Sequence, residues 1–310
     1  MRLIFSLICL VFIATSAQAT ETKGIVVTIK PLHSLVAGVI GETGEATLLV
    51  DGAASVHGFS LKPSQVKSLQ TARAVFYIDE RMENFLKNAL DSLPSSIRKT
   101  ALSEADGVKL LERRGGGAWD AHDHDNHHTH AHEQAHDDEE HNLHIWLDPE
   151  NARRMTIAIA ATLGAVYPEN QAIYTQNAER QLQRLKALDQ TLTDQLATVR
   201  DIPFVVLHDA YPYLETRYRL NAVGSLTLEP DAPTSAKKLG DIRDRLRQSG
   251  ARCIFREPQF NDRLLLTAAE DLPVKIGILD PLGADLAPGS KLYFQLMTAL
   301  ANNLTDCLQS

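Results

Sequence analysis

Residues 24–40, GIVVTIKPLHSLVAGVI, decide how the rest of the chain is read. A β-rich run, GIVVTI, passes directly into an amphipathic, helix-like segment, PLHSLVAGVI. The same change of period recurs downstream. The runs ATLLV (46–50), AVFYI (74–78) and VKLLE (108–112) read as further strands, with PSQVKSLQ (63–70) and MENFLKNALDSL (82–93) as the helices between them. Pro63, after Lys62, suits a helix start. Strands alternating with helices predict βαβ units and a parallel sheet. From Pro149 a long helical stretch runs toward Val199, broken near Tyr167 and Pro168, and residues 172–196 alone can form one helix. The alternation then resumes with PFVVL (203–207), AVGSLTL (222–228), CIFRE (253–257) and KIGIL (275–279), with a helix over 234–250 that Gly250 stops. The fold class is therefore α/β: two similar lobes with parallel sheets, residues 20–165 and 201–310, joined by a long helix within 166–200.

Residues 115–142 break this rhythm. Three glycines are followed by His122, His124, His127, His128, His130, His132, His136 and His141 among many acids, with no Lys or Arg. Such a segment has no apolar face to bury, so it is expected as a disordered loop inserted into the first lobe. Many imidazoles beside carboxylates favour weak, exchangeable binding of divalent transition metals.

The first 19 residues read as a signal peptide, with Arg2, an apolar run from Leu3 to Ala14, and Ala17-Gln18-Ala19 before the cleavage point. Cys9 lies inside the apolar run without the small residues of a lipobox, so an exported protein with no lipid anchor is expected. The formal charge is −8, and removing the leader with its single Arg2 makes it one unit more negative. That balance argues against nucleic acid as a partner and favours cations. Cys253 and Cys307 remain as an even pair in an oxidising compartment, where a disulfide tying the C-terminal helix to the preceding sheet is expected.

Within the histidine-rich run, HEQAH (132–136) matches the zinc-protease pattern in which two histidines and a glutamate share one helical turn. A protease would need a rigid, half-buried helix and a third ligand. The flanking residues supply no apolar stripe, and the extended pattern fails at Glu139 and Asn142, which stand where Gly and His belong. Glu133 is accordingly given no catalytic role.

Four histidines lie outside the run. His33 sits on an otherwise apolar helix start and reads as structural. His57 lies in a Gly-containing turn between a strand and the helix beginning near Pro63; His144 lies just before Asp148, a candidate cap for the helix starting at Pro149. His208 ends the strand PFVVLH, and Asp280 ends KIGILD in the same way. Three of these four follow directly from a strand's C-terminal end, where α/β folds place ligand groups, and their convergence beside a metal-attracting loop makes the four the candidate metal ligands.

The segments VHGFSLKPSQVKSL, LHIWLDPENAR, FVVLHDAYPYLETRYRL, FREPQF and LDPLGADL, in this order, resemble the zinc-specific periplasmic solute-binding proteins of high-affinity zinc ABC transporters. The resemblance covers essentially the whole chain after the leader and includes the histidine-rich loop and the cysteine pair. It implies a metal cleft between the two lobes, with His57, His144 and His208 as ligands to Zn2+ and Asp280, or a water, as the fourth. Some members carry Glu immediately before the first histidine, where this chain has Val56. The implied function is capture of Zn2+ in the periplasm by a monomeric, non-enzymatic protein and its delivery to a membrane permease, with other periplasmic zinc-binding proteins as further partners. The alternatives are a manganese or iron carrier of the same architecture and a secreted zinc metalloprotease. Three imidazoles and one oxygen suit four-coordinate zinc, whereas manganese prefers more oxygen ligands.

Overall fold

The computed structural model describes residues 20–114, 141–227 and 236–310. The leader and seven of the eight loop histidines, together with Glu133, lie outside the described residues.

The first lobe opens with β1 (Thr22–Ile29), α1 (Lys30–Ile40) and β2 (Gly44–Val50), followed by α2 (Pro63–Gln70), β3 (Ala74–Tyr77), α3 (Lys87–Ser92) and β4 (Arg98–Ala101). After β5 (Leu111–Glu112) and β6 (His141–Asn142) come α4 (Pro149–Val166) and α5 (Gln171–Leu196). The second lobe holds β7 (Phe204–His208), α6 (Pro212–Tyr218), β8 (Ala222–Thr227), α7 (Ala236–Ser249), β9 (Cys253–Arg256), α8 (Arg263–Ala269), β10 (Lys275–Ile278) and α9 (Leu292–Gln309). All pairings in the two large sheets are parallel. Their orders are β2-β1-β3-β4 and β8-β7-β9-β10, so each lobe runs second, first, third, fourth. The expected two lobes of like architecture are thus observed.

Two strand assignments need correction. VKLLE does not join the parallel sheet: its Leu111 and Glu112 pair antiparallel with Asn142 and His141. The fourth strand of the first sheet is β4, whose sequence RKTA is mostly polar because it forms a partly exposed edge. His141 and Asn142 are correspondingly held in a strand rather than in the disordered loop in which they were expected. The helix expected over 82–93 is shorter, a tight turn at Asn84–Leu86 leading into α3.

The 26-residue α5 spans roughly 39 Å. Its buried positions Tyr174, Ala178, Leu185, Leu188, Leu192 and Leu196 follow the helical period. It also buries Asn177 and Gln181, whose amides donate to the Val39 and Leu35 carbonyls of α1. Gly38 makes this close approach feasible, since a Cβ there would sit 1.6 Å from Gln181 Oε1. α5 packs against α1 and α4 of the first lobe and α6 and α9 of the second.

One apolar core runs through both lobes. It takes in Val27, Phe76 and Trp146 of the first, Leu185 and Leu192 of α5, and Phe204, Val206 and Phe255 of the second. The alternate residues Val205, Leu207 and Ile254 point to the other face of the second sheet and form a smaller core with Leu246, Leu265 and Ala268 under α7 and α8. Cys253, at the start of β9, is bonded to Cys307 in the last turns of α9, as expected.

Glu83 is fully buried behind the C-terminal ends of β1 and β3. Its Oε2 accepts from the Ile78 and Asp79 amides, with the Thr28 hydroxyl beside it, yet burial pushes its pKa up to about 7. Between its unfolded and folded pKa values the folded state holds the extra proton, so stability falls as pH rises from about 4.5 to about 7. Glu83→Gln is therefore expected to raise stability at pH 8 by about 3 kcal/mol and to change it little at pH 4. Denaturant unfolding at the two pH values checks this; an equal change at both would show that ionisation is not the cause.

Candidate metal centre

Strand order places the site. In the second sheet the connection after β7 leads to β8 on one side and the connection after β9 leads to β10 on the other, which opens a crevice at the C-terminal ends of β7 and β9. His208 is the last residue of β7 and Glu257 follows the last residue of β9. Glu257 Oε1 accepts from His208 Nδ1 at 2.7 Å, and both side chains are buried. From the first lobe, His144 enters between β6 and α4; Asp148 caps α4 as expected, accepting from the Glu150 amide at 2.8 Å. His144 Nδ1 donates to Asn142 Oδ1 at 3.0 Å. His57 comes from the segment between β2 and α2, and its backbone N–H donates to Ser55 Oγ.

The structure brings the three histidines together. One ring nitrogen from each of His57, His144 and His208 lies within 4.8 Å of the others, the only such group of potential metal ligands among the described residues. Ring centroids are 5.1 to 5.7 Å apart. His144 Nε2 and His208 Nε2 approach to 3.2 Å. With both Nδ1 atoms committed as donors, the neutral rings direct two lone pairs at one point. Two nitrogens bound tetrahedrally to one zinc at 2.0–2.1 Å would stand about 3.3 Å apart.

Electrostatics favour the ligand form of the rings. Burial, then the neighbouring His208 and Arg113, lower the His57 pKa to about 4, although part of that residue meets solvent. His144, fully enclosed, is lowered well below the ordinary value for the same reasons. Burial pushes Glu257 upward while the adjoining His208 draws it back. The pocket between the rings holds about 10 Å³, with Val56, Trp146, Phe260, Pro281 and Leu282 in its wall. That is the space of one water or one ion.

Asp280 does not join the group. Its Oδ1 accepts from the Leu282 and Gly283 amides and from Gln259 Nε2, and its Oδ2 accepts from the Ala284 amide. The carboxylate closes its own turn, whose carbonyls at Gly283, Ala284 and Leu286 in turn take the buried Lys30 ammonium from the first lobe. His33 is structural as expected, buried with Nε2 bonded to the Ala46 carbonyl. His141 lies in β6, outside the group. Sequence reasoning missed Glu257 and Asn142, the partners that orient two of the imidazoles. The signal for Glu257 was its place at the end of the strand CIFRE.

A family model described as zinc-uptake complex component A, periplasmic (ZnuA) matches residues 25–307. The high-affinity zinc uptake system protein ZnuA of Brucella abortus is 41% identical, with 94% of each chain covered. Its namesake from Yersinia pestis is 30% identical over 93% of this chain and 92% of its own. Among solved structures, a crystal structure of ZnuA superposes with a TM-score of 0.75 at 23% identity, covering 94% of this chain and 99% of that one. The Zn(II)-bound ZnuA-like domain of Streptococcus pneumoniae AdcA does so at 0.70 and 23%, covering 92% and 98%. These two likenesses speak to the fold. The sequence matches speak to descent, and with them this chain belongs to the ZnuA family of periplasmic zinc-uptake components.

Proposed function

We propose that the chain captures one Zn2+ in the cleft between its lobes, with His57, His144 and His208 as nitrogen ligands, and hands it to a membrane permease. The observation that carries this reading is the 3.2 Å approach of two Nε2 atoms whose rings are each fixed through Nδ1. Asp280 is held by three backbone amides and Gln259, so we assign the fourth position to a water molecule. Three imidazoles suit a four-coordinate zinc ion, whereas manganese favours a larger shell of oxygen ligands. The relatives named as high-affinity zinc uptake proteins support zinc as the cargo. In keeping with the zinc-uptake family it belongs to, we assign the protein no hydrolytic role.

The remaining histidines of 115–140 are proposed to gather zinc weakly and raise its local concentration. A competitive zinc titration of the mature chain and of a 115–140 deletion tests the division of labour. Residues 141 and 142 are kept in that deletion because they pair with β5. One tight site per chain is expected in both proteins, with the weak sites gone from the deletion; loss of the tight site would refute the assignment.

A further inference from the structure

Asn142 closes the segment in which the sequence offers most of its histidines, and it is one of the two residues, with Glu139, at which the extended protease pattern fails. It is buried, and both ends of its side-chain amide are engaged. Its Nδ2 donates to the Asp209 carbonyl at 2.6 Å. A carbonyl can only accept, which fixes the amide's orientation and leaves Oδ1 as the acceptor for both the backbone N–H and the Nδ1 of His144, each at 3.0 Å. His144 must therefore carry its proton on Nδ1 and present a bare Nε2. Asp209 is the residue after His208. One side chain thus reaches the ligand of the first lobe and the neighbour of the ligand of the second.

The surroundings keep that amide still. The Asn142 carbonyl accepts from Tyr213 Oη at 2.5 Å, and Tyr213 Oη in turn accepts from the Leu111 amide of β5 at 3.0 Å. Arg114, two residues beyond β5, binds the carboxylates of Asp209 and Glu215, and these two acids hold its guanidinium firmly charged. Asp209 is accordingly gripped twice, at its carbonyl by Asn142 and at its carboxylate by Arg114.

We propose that Asn142 is a positioning residue of the metal site: through one amide it selects the Nδ1–H tautomer of His144 and sets the spacing of His144 from His208 across the lobes. The proposal rests on the zinc-capture reading above and adds a part that touches no ion. Groups that orient metal-bound imidazoles are worth about 10- to 100-fold in affinity.

The test compares Asn142→Ala, Asn142→Asp, Tyr213→Phe and His144→Ala in the full mature chain, by competitive Zn2+ titration and by 15N NMR of the imidazoles in the metal-free protein. Asn142→Ala is expected to lose about 10- to 100-fold in zinc affinity and to show His144 as a mixture of tautomers. Asn142→Asp keeps the acceptor and drops the donor, so it should retain the Nδ1–H signature while still losing affinity through the broken link to Asp209. Tyr213→Phe frees the Asn142 carbonyl without touching an imidazole, so it should keep the Nδ1–H signature and lose less affinity than Asn142→Ala; Cys253→Ala/Cys307→Ala, which removes a bond far from the site, should leave affinity unchanged, and an equal loss there would show general stability to be the cause. Should Asn142→Ala fail to fold, the Asp variant decides: unchanged affinity overturns the cross-lobe link. Unchanged affinity and tautomer in the Ala variant overturn the whole proposal, provided His144→Ala loses tight binding. If His144→Ala also binds as before, the zinc-capture reading itself fails.

Discussion

Replacing His57 by alanine is expected to lower zinc affinity about 10³-fold while leaving the stability of the metal-free protein unchanged. Nanomolar capture corresponds to about 12 kcal/mol, and an equal share for each of three imidazoles is about 4 kcal/mol, or three decades. What makes this histidine the informative one is what its removal leaves behind. Among the described residues the His57 ring has no hydrogen-bond partner that depends on it: the contact to Ser55 belongs to its backbone amide. Its loss therefore strands no buried group. His208→Ala should weaken binding comparably but would also leave Glu257, 1% exposed, without the donor it now has. Stability should fall along with affinity in that variant. The pair of measurements is a competitive titration and a denaturant curve on metal-free protein. A His57→Ala protein that binds zinc within tenfold of the parent would remove His57 from the ligand set.

The second large effect falls on stability alone. Removing the Cys253–Cys307 bond is expected to cost about 4 kcal/mol, because the bridged residues are 54 positions apart and the unfolded chain regains the freedom of that loop. At the size of this chain such a loss lowers Tm by roughly 10 °C. Zinc affinity should not move. Cys253 is in register with Phe204 at the start of β7, whereas His208 ends that strand, roughly 13 Å away along the strand. The comparison is a thermal melt and a zinc titration of Cys253→Ala/Cys307→Ala against the oxidised parent. A Tm within a few degrees would show that the unfolded chain gains little from release, and a parallel loss of zinc binding would show that the bond reaches the site.

How much of this was legible in the sequence depended on where each signal resides. The β1–α1 rhythm, the second lobe and the length of α5 rest on local periodicity, and periodicity is written residue by residue. β4 escaped because RKTA lies at a partly exposed sheet edge, where no alternation of apolar side chains is demanded. β5 was misplaced because its partner, β6, lies 30 positions downstream, across the histidine-rich run. The three imidazoles could be nominated from their places after strands and before a helix. Asp280 had the same kind of place and went elsewhere, because the amides of its own turn reached its carboxylate first. Glu257 had such a place too, directly after β9, but its task of aiming His208 rests on a contact across the sheet, and Asn142 carried no local signal at all: a residue that aims another acquires that role only when the chain is folded.

The core shared by the two lobes has a consequence for how the molecule comes apart. Val27, Leu192 and Phe255 belong to one apolar cluster, so neither lobe has that core to itself. The lobes are units of architecture rather than of thermodynamics, and splitting the chain at α5 would give two halves that each expose what the other covers. The exception is the layer under α7 and α8, whose small cluster lies wholly within the second lobe. Cooperativity thus follows the shared core and not the symmetry of the sheets: among the described residues the outer layer has a core of its own, which equips it to open while the shared core stays closed.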